Sequence, residues 1–176
     1  MPRHLSALVA AVLVLGACGV GEMRTAREPA PAGTARVVHP VDGDTIVVDI
    51  DGDEERVRFI GIDTPESVAQ DRPVECYGPE AKARTAELLP EGALVRLERD
   101  VEARDRYDRL LAYVIRDADD VLVNLLLVQE GYAESIAYPP NVARQGDLDR
   151  AESEARAAGR GLWPACGGTD EPIAPG

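Results

Sequence analysis

Residues 45–66 read T-I-V-V-D-I-D-G-D-E-E-R-V-R-F-I-G-I-D-T-P-E. Residues 45–51 alternate and are rich in β-branched side chains, the pattern of a strand packed on one face. Asp51-Gly52 is a tight hairpin turn. Residues 54–62 return as the next strand, with Val57, Phe59 and Gly61 on one face and Arg58, Ile60 and Ile62 on the other. The chain leaves the sheet at Thr64-Pro65, because proline lacks a backbone donor and keeps Thr64 out of the helical region. Just past that edge stand Asp63 and Glu66. A strand that carries an Arg, an Asp and a Glu to one rim is an unusual use of charge. The plain alternative is a turn in which Arg58 neutralises a neighbouring carboxylate. Asp49, Asp51 and Asp53 do not form an EF-hand loop, since the glycine falls too early and no bidentate Glu follows.

Working outward, residues 34–41 form a strand that ends at Asp42-Gly43-Asp44, and residues 93–99 and 109–116 supply two more. Residues 79–89 are a helix, with Pro79 in its first turn and Pro90 and Gly92 ending it. Residues 123–130 are a short apolar helix capped by Gly131, and residues 141–158 a longer amphipathic one. This order predicts an α+β domain with a mainly β core: an antiparallel five-stranded Greek-key barrel of the OB type, with three helices.

The ends read differently. Residues 1–17 have a short basic start and an apolar run too short to span a bilayer, as in a signal peptide. Leu15-Gly16-Ala17-Cys18 resembles a bacterial lipobox, which would make Cys18 the lipidated first residue of the mature chain. Residues 18–33 then form a flexible tether, residues 34–166 the domain, and residues 167–176 a polar, disordered tail. The expected location is the extracytoplasmic face of a bacterial membrane, reached through the lipid anchor alone. Setting Cys18 aside leaves Cys76 and Cys166, an even pair in an oxidising compartment. A bridge between them would close a loop of about 90 residues, worth roughly 4 kcal/mol by chain entropy.

The chain carries a net charge of −13. Removing residues 1–17 takes the 19 basic residues to 18 against 32 acidic ones, or −14. Net attraction to a polyanion is thereby excluded, so any such ligand must be met by local Arg groups or a bound cation. Lys82 is the one lysine; the other basic residues are Arg, whose planar fork suits phosphate.

Asp44 opens the second strand at the kind of rim that Asp63 reaches from the third. With the Thr64 carbonyl they make a hard oxygen site suited to calcium, the remaining ligands coming from water and substrate. Transition metals are disfavoured, since His39 is the only histidine in the domain. Glu66 lies next to the cation, placed to orient or deprotonate a water. Arg58 and Arg109 can take two phosphate oxygens, where charge builds in a phosphorane.

V-D-G-D-T-I, R-F-I-G-I-D-T-P-E, Y-G-P-E-A and D-R-Y-D-R-L-L-A-Y-V occur here in the same order as in the staphylococcal nuclease (thermonuclease) family, which the chain resembles from residue 35 to 163. The resemblance implies an OB barrel and a monomeric, calcium-dependent nuclease that cleaves DNA and RNA with little sequence preference, leaving 3′-phosphates. It implies Asp44, Asp63 and Thr64 as calcium ligands and Arg58, Glu66 and Arg109 as catalytic residues. Arg106, Tyr107 and Tyr138 match substrate-contacting positions, with sequence-tolerant stacking expected on Tyr107. Tyr113, in mid-strand, is expected in the core.

Two departures from the family bear on activity. Asp108 stands where the family commonly has Gly, and its charge could draw Arg109 away from phosphate. The strong acidity is the other. The competing expectation is a catalytically weak OB-fold lipoprotein that binds nucleic acid or protein without cleaving it.

Overall fold

The computed structural model describes residues 30–67 and 73–169. The expected signal peptide, Cys18, the expected tether up to residue 29 and the expected tail from residue 170 lie outside the described residues. Among the described residues no helix is long and apolar enough to cross a membrane.

Strands β1 (Ala35–Asp42), β2 (Thr45–Ile50) and β3 (Asp53–Phe59) form an antiparallel meander. The β2–β3 turn works because Asp51 and Gly52 both take positive φ, 56° and 99°, which matches the twist of the flanking strands. Register shifts between Val37 and His39 and between Pro40 and Asp42 mark irregularities along β1. Near its start β1 also pairs with β5 (Leu94–Glu98), which runs antiparallel to β6 (Leu110–Arg116), and the two-residue β7 (Val121–Leu122) pairs with the end of β6 at the edge of the sheet. The barrel closes where β6 meets β3, Val57 opposite Leu110 and Phe59 opposite Ala112.

That last pairing is parallel, so the five-stranded barrel is mixed and the expected all-antiparallel core is corrected. The reason is topological. Directions can alternate all the way round a closed ring only when the strand number is even; five strands force one parallel pair. The OB-type, mainly β architecture otherwise stands.

A second correction concerns the strand expected over residues 54–62. It ends at Phe59, and the chain turns through Gly61 at φ 78°. A side chain at Gly61 would collide with that of Leu148. The chain then resumes as β4 (Ile62–Asp63), paired in a separate two-stranded sheet with β8 (Glu134–Ser135). The turn cancels the strict alternation, so Phe59 and Ile60, expected on opposite faces, are both buried.

Helices α1 (Gly78–Leu88), α2 (Val123–Glu130) and α3 (Gln145–Ala157) correspond to the expected three. Gly131 ends α2 at φ 78°. A fourth short helix, α4 (Leu162–Ala165), was not foreseen. The expected helix at 141–158 starts late because the Asn141 side chain is bonded to both backbone groups of Glu102. Val37, Ile46, Val48, Val57, Phe59, Val95 and Val114 form the barrel core, with Leu127, Val128 and Leu148 contributed by α2 and α3. Buried Asn124 ties α2 to the barrel by accepting from Val114 N–H and donating to the Ile60 carbonyl. Cys76, just before α1, is joined by a disulfide to Cys166 after α4.

Candidate active site

Asp44 sits in the two-residue turn between β1 and β2 and is 6% exposed. The turn is anchored from behind by the Thr85 hydroxyl of α1, which donates to the Gly43 carbonyl. One carboxylate oxygen of Asp44, Oδ1, accepts from the Thr45 hydroxyl at 2.9 Å. The other, Oδ2, accepts from the Thr64 amide at 3.1 Å and the Thr64 hydroxyl at 3.0 Å. Pro65 prevents Thr64 from continuing into a helix and so leaves both groups facing Asp44.

Arg58 lies opposite Thr45 in the β2–β3 register. Its Nη1 donates to the carbonyls of Phe59 and Ile62, at 3.0 and 2.8 Å. Its Nη2 donates to Asp63 Oδ1 at 2.6 Å and lies 3.2 Å from Asp44 Oδ2. The structure therefore brings Asp44, Arg58, Asp63 and Thr64 to one rim. The plain reading of Arg58 as a neutraliser of carboxylates holds in this geometry too.

Glu66 is half-buried beside this group. Burial, a hydrogen bond to Asp42 and the charges of Asp42, Asp44 and Glu75 push its carboxyl up to about 7. Three neighbouring acids thus act on Glu66, while Arg58 is bonded to Asp44 and Asp63. Neither Asp42 nor Glu75 was singled out from the sequence. Asp42 could have been found, being two residues before Asp44 on the same turn. Glu75 had no local signal.

The donor chemistry fits a calcium ion: the acids and the Thr64 carbonyl are hard oxygens. Among the described residues, no three His, Cys, Asp or Glu side chains form a metal cage on their own. Water and substrate oxygens are needed to complete one.

On its other side, Arg58 lines an open cleft of about 420 Å³ shared with Arg106, Tyr107, Arg109, Tyr138 and Asn141. Tyr107 and Tyr138 are 64% and 56% exposed, an uncommon use of aromatic surface unless something stacks on it. Arg106 donates to the Tyr107 hydroxyl at 2.6 Å, and the guanidinium carbons of Arg106 and Arg109 lie 4.7 and 5.5 Å from the Tyr107 ring centre. Tyr113 is buried, as the strand pattern implied.

Arg109 is held by Asp105, not by Asp108. Its Nε donates to Asp105 Oδ2 at 2.7 Å and its amide to Oδ1 at 2.9 Å. Burial opposes ionisation of Asp105, but bonds from the Arg109 backbone and side chain and from the Tyr107 amide outweigh it and hold the carboxyl low. Asp108 takes φ 63° and its carboxylate lies 3.6 Å from Arg104. The expected competition between Asp108 and phosphate for Arg109 is thus replaced by a pairing with Asp105. Asp108→Gly is expected to leave initial rates within about twofold. It should raise stability by about 0.5–1 kcal/mol in urea titrations, because Gly tolerates positive φ. A large loss of rate with folding intact would show that Asp108 acts on the site.

The family described as "Staphylococcal nuclease homologue" matches residues 56–165. A thermonuclease of Staphylococcus intermedius is 43% identical over 123 residues, covering 70% of this chain and 71% of the relative. One from Staphylococcus hyicus is 40% identical over 130 residues, covering 74% and 75%. The SPbeta prophage-derived endonuclease YokF of Bacillus subtilis is 40% identical over 125 residues, covering 70% of this chain and 41% of that longer protein. Arg58, Asp63 and Glu66 of the rim lie within the residues the family matches, Asp44 precedes them, and the chain belongs to the staphylococcal nuclease homologue family, an enzyme of the nuclease class.

Proposed function

We propose that this protein is a calcium-dependent phosphodiesterase that hydrolyses DNA and RNA with little sequence preference and leaves 3′-phosphates. The observation that carries the reading is the position of Arg58, which joins Asp44 and Asp63 on one side and lines the aromatic, Arg-rich cleft on the other. A phosphate in that cleft lies between permanent cations and an acid rim with a carboxyl poised near neutrality.

Asp44, Asp63 and the Thr64 carbonyl would hold calcium, which when bound polarises a phosphate oxygen and offsets the charge of the rim. Arg58 and Arg109 bind nonbridging oxygens. Arg109 donates to Asp105 through Nε, and its two Nη groups serve the substrate. Ionised Glu66 takes the proton of the attacking water as the oxygen bonds to phosphorus. The bond to the 5′-oxygen breaks, and that oxygen takes a proton from solvent. Tyr107 and Tyr138 stack on bases through faces that every base possesses, so sequence matters little.

Plasmid DNA and a structureless RNA should both be degraded in calcium and remain intact in a chelator. Phosphatase treatment should then remove phosphate from the 3′ ends of the products. Intact substrates across a range of calcium concentrations, with binding retained, would favour a binding module instead.

Anchoring belongs to the same reading. Several acyl chains on Cys18 would hold the protein at the outer face of a membrane, where one chain alone binds marginally. Cys18→Ser is expected to move the protein from the membrane fraction into the soluble one or to block its processing. Unchanged fractionation would remove the lipid anchor from the account.

A further inference from the structure

Glu75 is a buried acid, 8% exposed, to which the reaction above assigns no part. Its Oε2 accepts the Glu66 amide N–H at 2.8 Å, and its own N–H donates to the Glu66 carbonyl at 2.9 Å. Both backbone groups of Glu66 are thereby fixed by one residue, leaving only its side-chain torsions free. Burying a carboxylate for this purpose costs desolvation that an apolar residue would avoid. A packing role alone therefore gives a poor account of an acid here.

The first turn of α1 seals the arrangement. Gly78 donates to the Glu75 carbonyl at 3.1 Å, and a Cβ at Gly78 would strike the Glu66 carbonyl. The next residue after Glu75 is Cys76, bonded to Cys166. Beyond Cys166, the Thr169 amide donates to Glu134 at 2.7 Å, and Glu134 lies opposite Asp63 in the β4–β8 pairing. One covalent bond thus closes a ring of contacts that contains Asp63, Thr64, Glu66 and Glu75.

We propose that Glu75 is a positioning residue for Glu66, and that the Cys76–Cys166 disulfide keeps it in place. The proposal rests on the reading of Glu66 as the base. Fixing the backbone at both ends of the residue limits where the carboxylate can reach, and a displacement of about 1 Å can cost on the order of a hundredfold in rate.

The test uses the full chain and two readouts, steady-state kinetics on DNA and hydrogen exchange of the Glu66 amide. Glu75→Ala should expose that amide and lower kcat roughly ten- to hundredfold, with KM changed by about twofold or less. Glu75→Gln keeps an oxygen acceptor and should retain amide protection and kcat to within about threefold. The paired change Cys76→Ser and Cys166→Ser, assayed well below its unfolding midpoint, should lower both protection and kcat. Should Glu75→Ala fail to fold, the Gln and paired Ser chains carry the comparison.

An Ala variant with an exposed amide and wild-type kcat would overturn the proposal. So would a Gln variant as impaired as Ala, or paired Ser changes that leave both readouts untouched. A wild-type chain that cleaves nothing, yet loses Glu66 protection when Glu75 is removed, would instead strike down the base assignment and reduce the clamp to a structural one.

Discussion

Glu66→Gln is expected to lower kcat by about 10²–10⁴-fold with little change in KM, the size usual for loss of a general base. The amide has nearly the same shape, so binding in the cleft should survive while water keeps its proton. The same variant tests the electrostatics of the rim. In a chelator, burial and the neighbouring acids hold Glu66 at about 7 in the folded chain, against an ordinary value of 4.5. The folded state therefore binds this proton more tightly than the unfolded one. Stability from this group is fully present below pH 4.5 and is lost as pH rises through about 7. Urea titrations of both chains across that range should show wild type losing stability relative to Glu66→Gln as pH rises. Added calcium should flatten the difference by relieving the charge. A parallel pH dependence in the two chains would show that the raised carboxyl is not that of Glu66.

Arg58→Ala is expected to act on two quantities at once. Rate should fall by about 10²–10³-fold, the loss typical of one donor aimed at developing charge. Stability should fall by about 3 kcal/mol, at the lower end for a broken buried ion pair. The lower end applies because the Asp63 side chain is 31% exposed, although that of Asp44 is only 8% exposed. Without Arg58 the two carboxylates face each other uncompensated, so calcium should restore part of the stability and none of the phosphate contact. Arg58→Lys separates the effects further. An ammonium keeps the charge but cannot reach Phe59, Ile62, Asp63 and a phosphate with one planar fork. It should recover stability more than rate. Equal recovery of both would mean that charge alone matters at this position.

The acidity of the chain takes on a specific meaning beside these predictions. Arg84, Arg104, Arg116 and Arg144 are each paired with nearby carboxylates. Arg58 and Arg109 are bonded to carboxylates as well, but with Arg106 they share the lining of one cleft. Capture of a polyanion by a protein of charge −13 then depends on that small cluster rather than on long-range steering.

Local chemistry made much of this protein legible without coordinates. The Asp51-Gly52 hairpin, the end of α2 at Gly131 and the alternation of Val57 and Phe59 with Arg58 at the end of β3 follow from turn geometry and side-chain period, which depend on near neighbours in the chain; β2, buried on both faces from Thr45 to Val48, departs from the alternation expected of it. The convergence of Asp44, Arg58, Asp63 and Thr64 was also readable, because one hairpin and one proline bring them together. Other features required contacts between distant segments. The parallel closure of β3 on β6 follows from ring parity, and the early end of β3 from the lack of room beside Gly61, where Leu148 of α3 packs. Asp105 replaced Asp108 as the partner of Arg109 because φ 63° at Asp108 places its carboxylate nearer Arg104. The bonds from Glu75 to Glu66 join residues nine apart through space, and no local pattern encodes them. Periodicity and turn chemistry act over a few residues; a buried hydrogen bond or ion pair between separate elements exists only once the barrel has closed around it.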